Sequence, residues 1–139
     1  MTRWIFGLCL ALLASPAAAF TAVNGVSAFS EGGQGQFEVV SEPGSGPRQI
    51  WCAAAQFARF ELEAAANTRI YLSRAMATSP RSPRARSASF TIAPNEALKS
   101  GPKPGDGGNY SVSLSKLGYN LRLAHAEGFC ERIIDDIFD

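Results

Sequence analysis

The strongest helical pattern in the chain runs from Arg48 to Ala66 (RQIWCAAAQFARFELEAAA). Ile50, Ala53, Ala54, Phe57, Phe60 and Ala64 recur there three and four apart, which places them on one face of a helix. Pro47 suits the first turn of such a helix, because its fixed φ is already helical and its missing N–H is not needed there. Cys52, Gln56, Arg59 and Glu63 fall on the opposite stripe. A second pattern, alternation with period two, marks strands. It predicts strands at Gln36–Ser41 with Phe37 and Val39 inward, at Arg69–Ser73 with Ile70 and Leu72 inward, and at Ala88–Ala93 with Phe90 and Ile92 on one side. Ala22–Phe29 reads as a strand interrupted at Asn24-Gly25. Tyr110–Ser115 (YSVSLS) is the cleanest alternation of all and predicts a half-buried antiparallel strand with its serines solvated.

Between these elements lie turn and loop signals. Glu31–Gly35 (EGGQG) and Glu42–Pro47 (EPGSGP) are turns by their glycines and prolines. Thr78–Ser87 (TSPRSPRARS) reads as an extended, solvated loop, and Asn95–Asn109 as a long flexible connection. Near the end, Asn120 suits an N-cap and Leu121–Cys130 (LRLAHAEGFC) a short helix. The alternation of Leu117, Tyr119, Leu121 and Leu123 also fits a strand there. The last residues, ERIIDDIFD, dock or fray. The pattern as a whole predicts an α+β fold: a small antiparallel sheet of four to five strands, one main helix packed on it, and a short C-terminal helix.

The first nineteen residues stand apart from this pattern. Arg3 precedes an uncharged apolar run from Trp4 to Ala14, Ser15-Pro16 breaks the run, and Ala17-Ala18-Ala19 supplies small residues. Charged start, apolar core and small-residue exit are the parts of a secretory signal, and the run is shorter than the roughly 20 residues that span a bilayer. Cleavage would then leave Phe20–Asp139 as a single domain, periplasmic or secreted. Cys9 is not placed for lipid attachment: Leu8 stands ahead of it where a small residue is needed, and the apolar run continues past it.

Loss of the leader changes two readings. It removes Arg3 and so leaves equal numbers of basic and acidic residues, a balance that argues against a nucleic-acid binder. It also removes Cys9, and the remaining pair, Cys52 and Cys130, is expected to form a disulfide in an oxidising compartment. That bridge would lay the C-terminal segment over the polar stripe of the main helix and partly cover Arg59 and Glu63.

Candidate chemistry is sparse. His125, the one histidine, lies near Glu127 and Cys130, but a Cys-His nucleophile needs a free thiolate and the expected bridge removes it. A surface helix histidine is the simpler reading. No Gly-x-Ser-x-Gly elbow occurs, the glycines at Gly105–Gly108 lack the residues of a phosphate loop, and Asp135-Asp136 sits in the tail. No catalytic residue, cofactor or metal site is expected. Trp51 and Tyr71 fit a core or its rim. The most suggestive cluster is Arg81, Arg84 and Arg86, whose guanidinium groups suit a phosphate, a carboxylate-bearing glycan or an acidic protein surface.

The segments FEVV (Phe37–Val40), IWCAAA (Ile50–Ala55), TRIYL (Thr68–Leu72), FTIAP (Phe90–Pro94) and Phe129-Cys130 resemble those of a group of small secreted alphaproteobacterial proteins to which no activity is attached. The resemblance implies an exported bacterial domain with a paired cysteine and carries over no catalytic residue. Two functions stand as expectations: a non-enzymatic binding or interaction domain with an acidic periplasmic or cell-surface ligand, or else a small hydrolase whose site is not recognisable from the sequence, His125 with a carboxylate being one example.

Overall fold

The structure is a computed structural model that describes residues 19–138, with side chains described as far as Cys130. Residues 1–18 of the leader pattern at Met1–Ala19 and the side chains of the acidic tail lie outside the described residues. The fold is α+β. Six antiparallel strands form one curled sheet in the order β1-β2-β3-β5-β4-β6, more strands than the sequence pattern predicts. They are β1 (Phe20–Thr21), β2 (Ser27–Ser30), β3 (Gln36–Val40), β4 (Arg69–Ser79), β5 (Ser82–Thr91) and β6 (Asn120–Arg122). Helix α1 spans Pro47–Phe60, the short α2 Glu96–Lys99, and α3 Leu123–Phe138.

The alternation of β3 and β5 explains where the core forms. Phe37 pairs with Phe90 and Val39 with Ala88, so these side chains share one face and meet α1. Phe37 stacks on Phe57 of α1 at 4.5 Å and on Phe90 at 5.8 Å, while Trp51 meets Phe90 edge-on at 4.8 Å. Such pairs add to the area they bury. α3 then packs against the other side of α1. Sandwiched between sheet and helix, α1 is buried from Ile50 to Ala55 without a break. That sandwich is why its small residues are alanines: they let α3 approach closely. Cys52 and Cys130 form the disulfide that joins the two helices, with Cα atoms 5.2 Å apart. Arg59 of α1 donates to the Glu127 carboxylate of α3, so the polar stripe is covered there as the bridge implies.

Several expected elements come out differently. α1 stops at Phe60, not Ala66, and Glu63 adopts a positive φ of 54°, so it lies exposed beyond the helix end and α3 does not cover it. Leu62 and Ala64 turn back on the core instead, with the Leu62 and Ala64 amides bonded to the carbonyls of Phe57 and Ala58. Thr78–Ser87 is no loop: it forms the distal half of the β4–β5 hairpin, closed by Pro80-Arg81. The ladder skips between Ser79↔Ser82 and Thr78↔Arg86, and Pro83 sits in that bulge, where its missing N–H costs no ladder bond.

Tyr110–Ser115 forms no strand. Val112 and Leu114 are partly buried against the core as expected, but Ser113 between them is partly buried as well and Tyr110 is 77 % exposed, so the alternation of the sequence is not kept. The reason for the missing ladder is local. Asn109 and Ser113 side chains accept from the backbone amides of Ser111, Ser115 and Lys116, turning the chain away from an extended path. A single backbone bond, Met76 N–H to Leu114 carbonyl at 2.9 Å, reaches β4. The connection at Asn95–Asn109 is tied down as well: a Cβ on Gly101 would collide with the Gly118 carbonyl. Asn120 is not an N-cap. It lies fully buried in β6, where its side chain takes a bond from Arg69 Nε at 2.6 Å and donates to the Gly118 carbonyl at 2.8 Å. Both expectations for the C-terminal region therefore hold in part, strand for Asn120–Arg122 and helix from Leu123, and that helix runs on through the segment expected to dock or fray.

Candidate functional site: a cation-rimmed cleft

Where the irregular segment passes between α1 and the hairpin it leaves a cleft of about 550 Å³. Ser111–Lys116 forms its base, Pro102–Asn109 one wall, and Met76 of β4 with Arg86 of β5 the other; Pro47 and Tyr119 complete it. The base is positioned from beneath, because the buried Trp51 donates its indole N–H to the Ser113 carbonyl at 3.0 Å. The wall is positioned by Asn120, whose backbone N–H donates to the Pro102 carbonyl.

Three cations, Arg86, Lys103 and Lys116, line this cleft against one carboxylate, Asp106. Asp106 accepts the backbone amide of Lys103 at 2.8 Å, and among the described residues none of the three cations forms a salt bridge. Pro47 opens α1, so the positive end of the helix dipole lies at the margin, and its N-cap, Gly46, has no side chain with which to accept the first-turn amides. The first turn of α1 contains no acidic residue to offset that end. Burial, with the nearby Asp106 charge as the smaller cause, raises the Tyr119 phenol above its ordinary pKa, which keeps it a neutral hydroxyl at the cleft. Its hydroxyl donates to the Ser111 carbonyl at 3.4 Å.

The three arginines singled out by the sequence do not converge. Arg86 lines the cleft. Arg81, at the hairpin turn, faces the other side of the sheet: its guanidinium lies 4.1 Å above the Phe29 ring, 3.8 Å from the Glu38 carboxylate, and donates to the Ser30 carbonyl. Glu38 is only 1 % exposed and also accepts from Ser79 Oγ at 2.8 Å, so Arg81 closes over a buried carboxylate. Arg84 is exposed in the bulge. Beside Glu38, Arg74 spans Ser87 and Ser89, and Ser89 donates to Glu31. This polar network fills the sheet face opposite α1.

His125 stands exposed on α3 with its ring 5.5 Å from that of Phe129. Glu127 is taken by Arg59 and Cys130 by the disulfide. Tyr71 is half-buried in β4 outside the cleft. Lys103, Lys116 and Tyr119 escape a reading of the sequence because they lie in two separate irregular stretches, Lys103 in one and Lys116 with Tyr119 in the other. Only the lone lysine in each of two glycine-containing loops, GPKPGDGG and SLSKLGY, offers a signal. Comparison of the chain with protein-family models, curated proteins and solved structures gives no match.

Proposed function

We propose that this protein is an exported, non-enzymatic binding domain whose cleft takes an anionic ligand. The observation that carries the reading is the charge of the cleft: Arg86, Lys103 and Lys116 without salt-bridge partners among the described residues, against Asp106 alone. Clefts lined by one sign of charge concentrate ligands of the other, and an arginine beside two lysines offers both forked and point-like donors to carboxylate or phosphate oxygens. Export is supported by the leader pattern at Met1–Ala19 and by the Cys52–Cys130 bridge, which suits an oxidising compartment. The resemblance to small secreted alphaproteobacterial proteins points to the periplasm or the medium.

The test is a titration with citrate and with inorganic phosphate, followed by amide chemical shifts of Ser111–Lys116 and by calorimetry. Binding is expected to weaken with added salt and to lose roughly two- to fivefold in affinity for each of Lys103→Ala and Lys116→Ala. Both side chains are exposed, so these variants leave the core intact. Shifts that are absent at low salt, or unchanged affinity in the double variant, would overturn the reading.

A further inference from the structure

We infer that the ligand of this cleft is an extended acidic peptide that adds as a strand along the open flank of β4; the inference rests on the anion-binding reading. The hairpin β4–β5 outruns its neighbours. β3 pairs only with Ser87–Thr91 of β5, and β6 only with Arg69–Tyr71 of β4. Leu72 and Met76 are still reached by the backbone of Gly118, Tyr119 and Leu114. Beyond Met76, no backbone bond reaches Ala77–Ser79 from the side away from β5 among the described residues.

The two edges of this arm are treated differently by the sequence. The β5 edge is protected by Pro83, which has no N–H, by the charge of Arg84, and by Ser41, whose amide takes the Arg86 carbonyl. Proline, charge and a covering segment are the usual defences of an exposed edge. The β4 edge, Ala75-Met76-Ala77-Thr78-Ser79, carries neither proline nor charge, and Ala77 and Thr78 are exposed. Its unprotected stretch begins where the cleft wall at Met76 ends. An added strand would therefore run from β4 into the cleft, exchanging backbone bonds with Thr78, whose N–H and C=O face the open flank because its pair Arg86 turns its carbonyl away to Ser41, and placing alternate side chains over Met76 and Leu114 or toward the cations.

Charge selects the occupant. A second copy of this chain paired edge to edge would bring two sets of Arg86, Lys103 and Lys116 together and repel, whereas acidic side chains at alternate positions meet them.

The experiment compares a short capped peptide of alternating acidic residues and valine with its analogue N-methylated at alternate residues, and with citrate, against the intact disulfide-bonded protein. The expected result is binding of the unmethylated peptide at least about tenfold tighter than of its analogue or of citrate, with slowed amide exchange at Thr78. Equal binding of all three without that slowing overturns the strand inference and leaves the anion site standing. No binding by any of them overturns both. Concentration-dependent self-association that slows the same amide without peptide overturns the inference in favour of a second copy.

Discussion

Removing the disulfide tests how the helical layer is held to the domain. Cys52 and Cys130 are 78 residues apart in the chain. Closing a loop of that length lowers the entropy of the unfolded chain by an amount worth about 4.5 kcal/mol at 25 °C. Against a total stability of about 5–15 kcal/mol, the bridge is a large fraction of what keeps the domain folded. The perturbation is Cys52→Ala with Cys130→Ala, which keeps helix propensity high in both helices. Cys52 is wholly buried, so each lost sulfur adds a small packing cost to the entropic loss. α3 retains Leu123 and Ala126 in the core and the Arg59–Glu127 pair; the native arrangement therefore survives and the loss appears as stability rather than as a new fold. Urea unfolding should show a drop of about 4–6 kcal/mol, and thermal unfolding a fall of roughly 15–25 °C. The entropic account makes a second demand: the uncrosslinked unfolded chain is more open, so the urea m-value must rise. Each single variant should lose nearly as much as the double, since either removes the same bond. A double variant that loses under about 1 kcal/mol would falsify the reasoning, and a full loss with an unchanged m-value would refute its placement in the unfolded state.

Other perturbations address the remaining features. Arg81→Ala should cost about 1–2 kcal/mol by uncovering the buried Glu38 carboxylate, less than a fully buried pair because Arg81 is itself 38 % exposed; Arg84→Ala should stay within about 0.5 kcal/mol, both read by urea unfolding. Gly101→Ala should cost about 2–3 kcal/mol, because the new methyl meets the backbone of Gly118 and neither segment can yield without moving Asn120. For Tyr119, the raised folded-state pKa means that the native protein holds its proton when the unfolded chain has released it. Its contribution is therefore intact below the unfolded value near 10 and stability is lost as pH rises through and beyond it. Tyr119→Phe should flatten that alkaline loss, read by urea unfolding across the alkaline range.

The parts of the fold visible in the sequence are those whose pattern is set by a single neighbour. Phe37 and Val39 alternate because one face of β3 meets α1, and the turn at Asn24-Gly25 separates β1 from β2 because Gly25 takes a φ of 81° there. The hairpin β4–β5 was hidden by its composition. Ser-Pro-Arg-Ser-Pro-Arg reads as a loop, yet Pro80 occupies a turn and Pro83 a bulge, the two places where a hairpin tolerates proline. The strand at Gln36–Val40 carries its own hidden feature: Glu38 looks solvated by alternation and is instead buried, since the curl of the hairpin brings Ser79 and Arg81 over it. Period two identifies which residues share a face. It does not say whether the second face is wet.

The same distinction governs the site. Arg81, Arg84 and Arg86 are close in sequence, and closeness in sequence invited a shared role. In a bulged hairpin they separate, one to the turn, one to solvent and one to the cleft, because the irregular ladder between Thr78 and Ser82 breaks the strict alternation of sides. The partners of Arg86 come from elsewhere. Lys103 is brought in by the contact of Gly101 with Gly118 and by Asn120, and Lys116 by the seat of Ser113 on Trp51. Each of these anchors is a backbone carbonyl held from inside the core, with no signature in periodicity or charge. The cleft is thus a by-product of how two irregular segments are pinned, and its cations owe their nearness to Asn120 and Trp51 rather than to any motif. Changing either anchor should disperse Lys103 and Lys116 while leaving their charges in place. Trp51→Phe is the sharper of the two, because it keeps an aromatic ring against Phe90 and deletes the bond to Ser113, with the smaller ring's lost packing, including that on Tyr119, read separately by urea unfolding. Loss of citrate binding with the fold retained would tie the affinity to that pinning, whereas full retention would show that charge alone suffices.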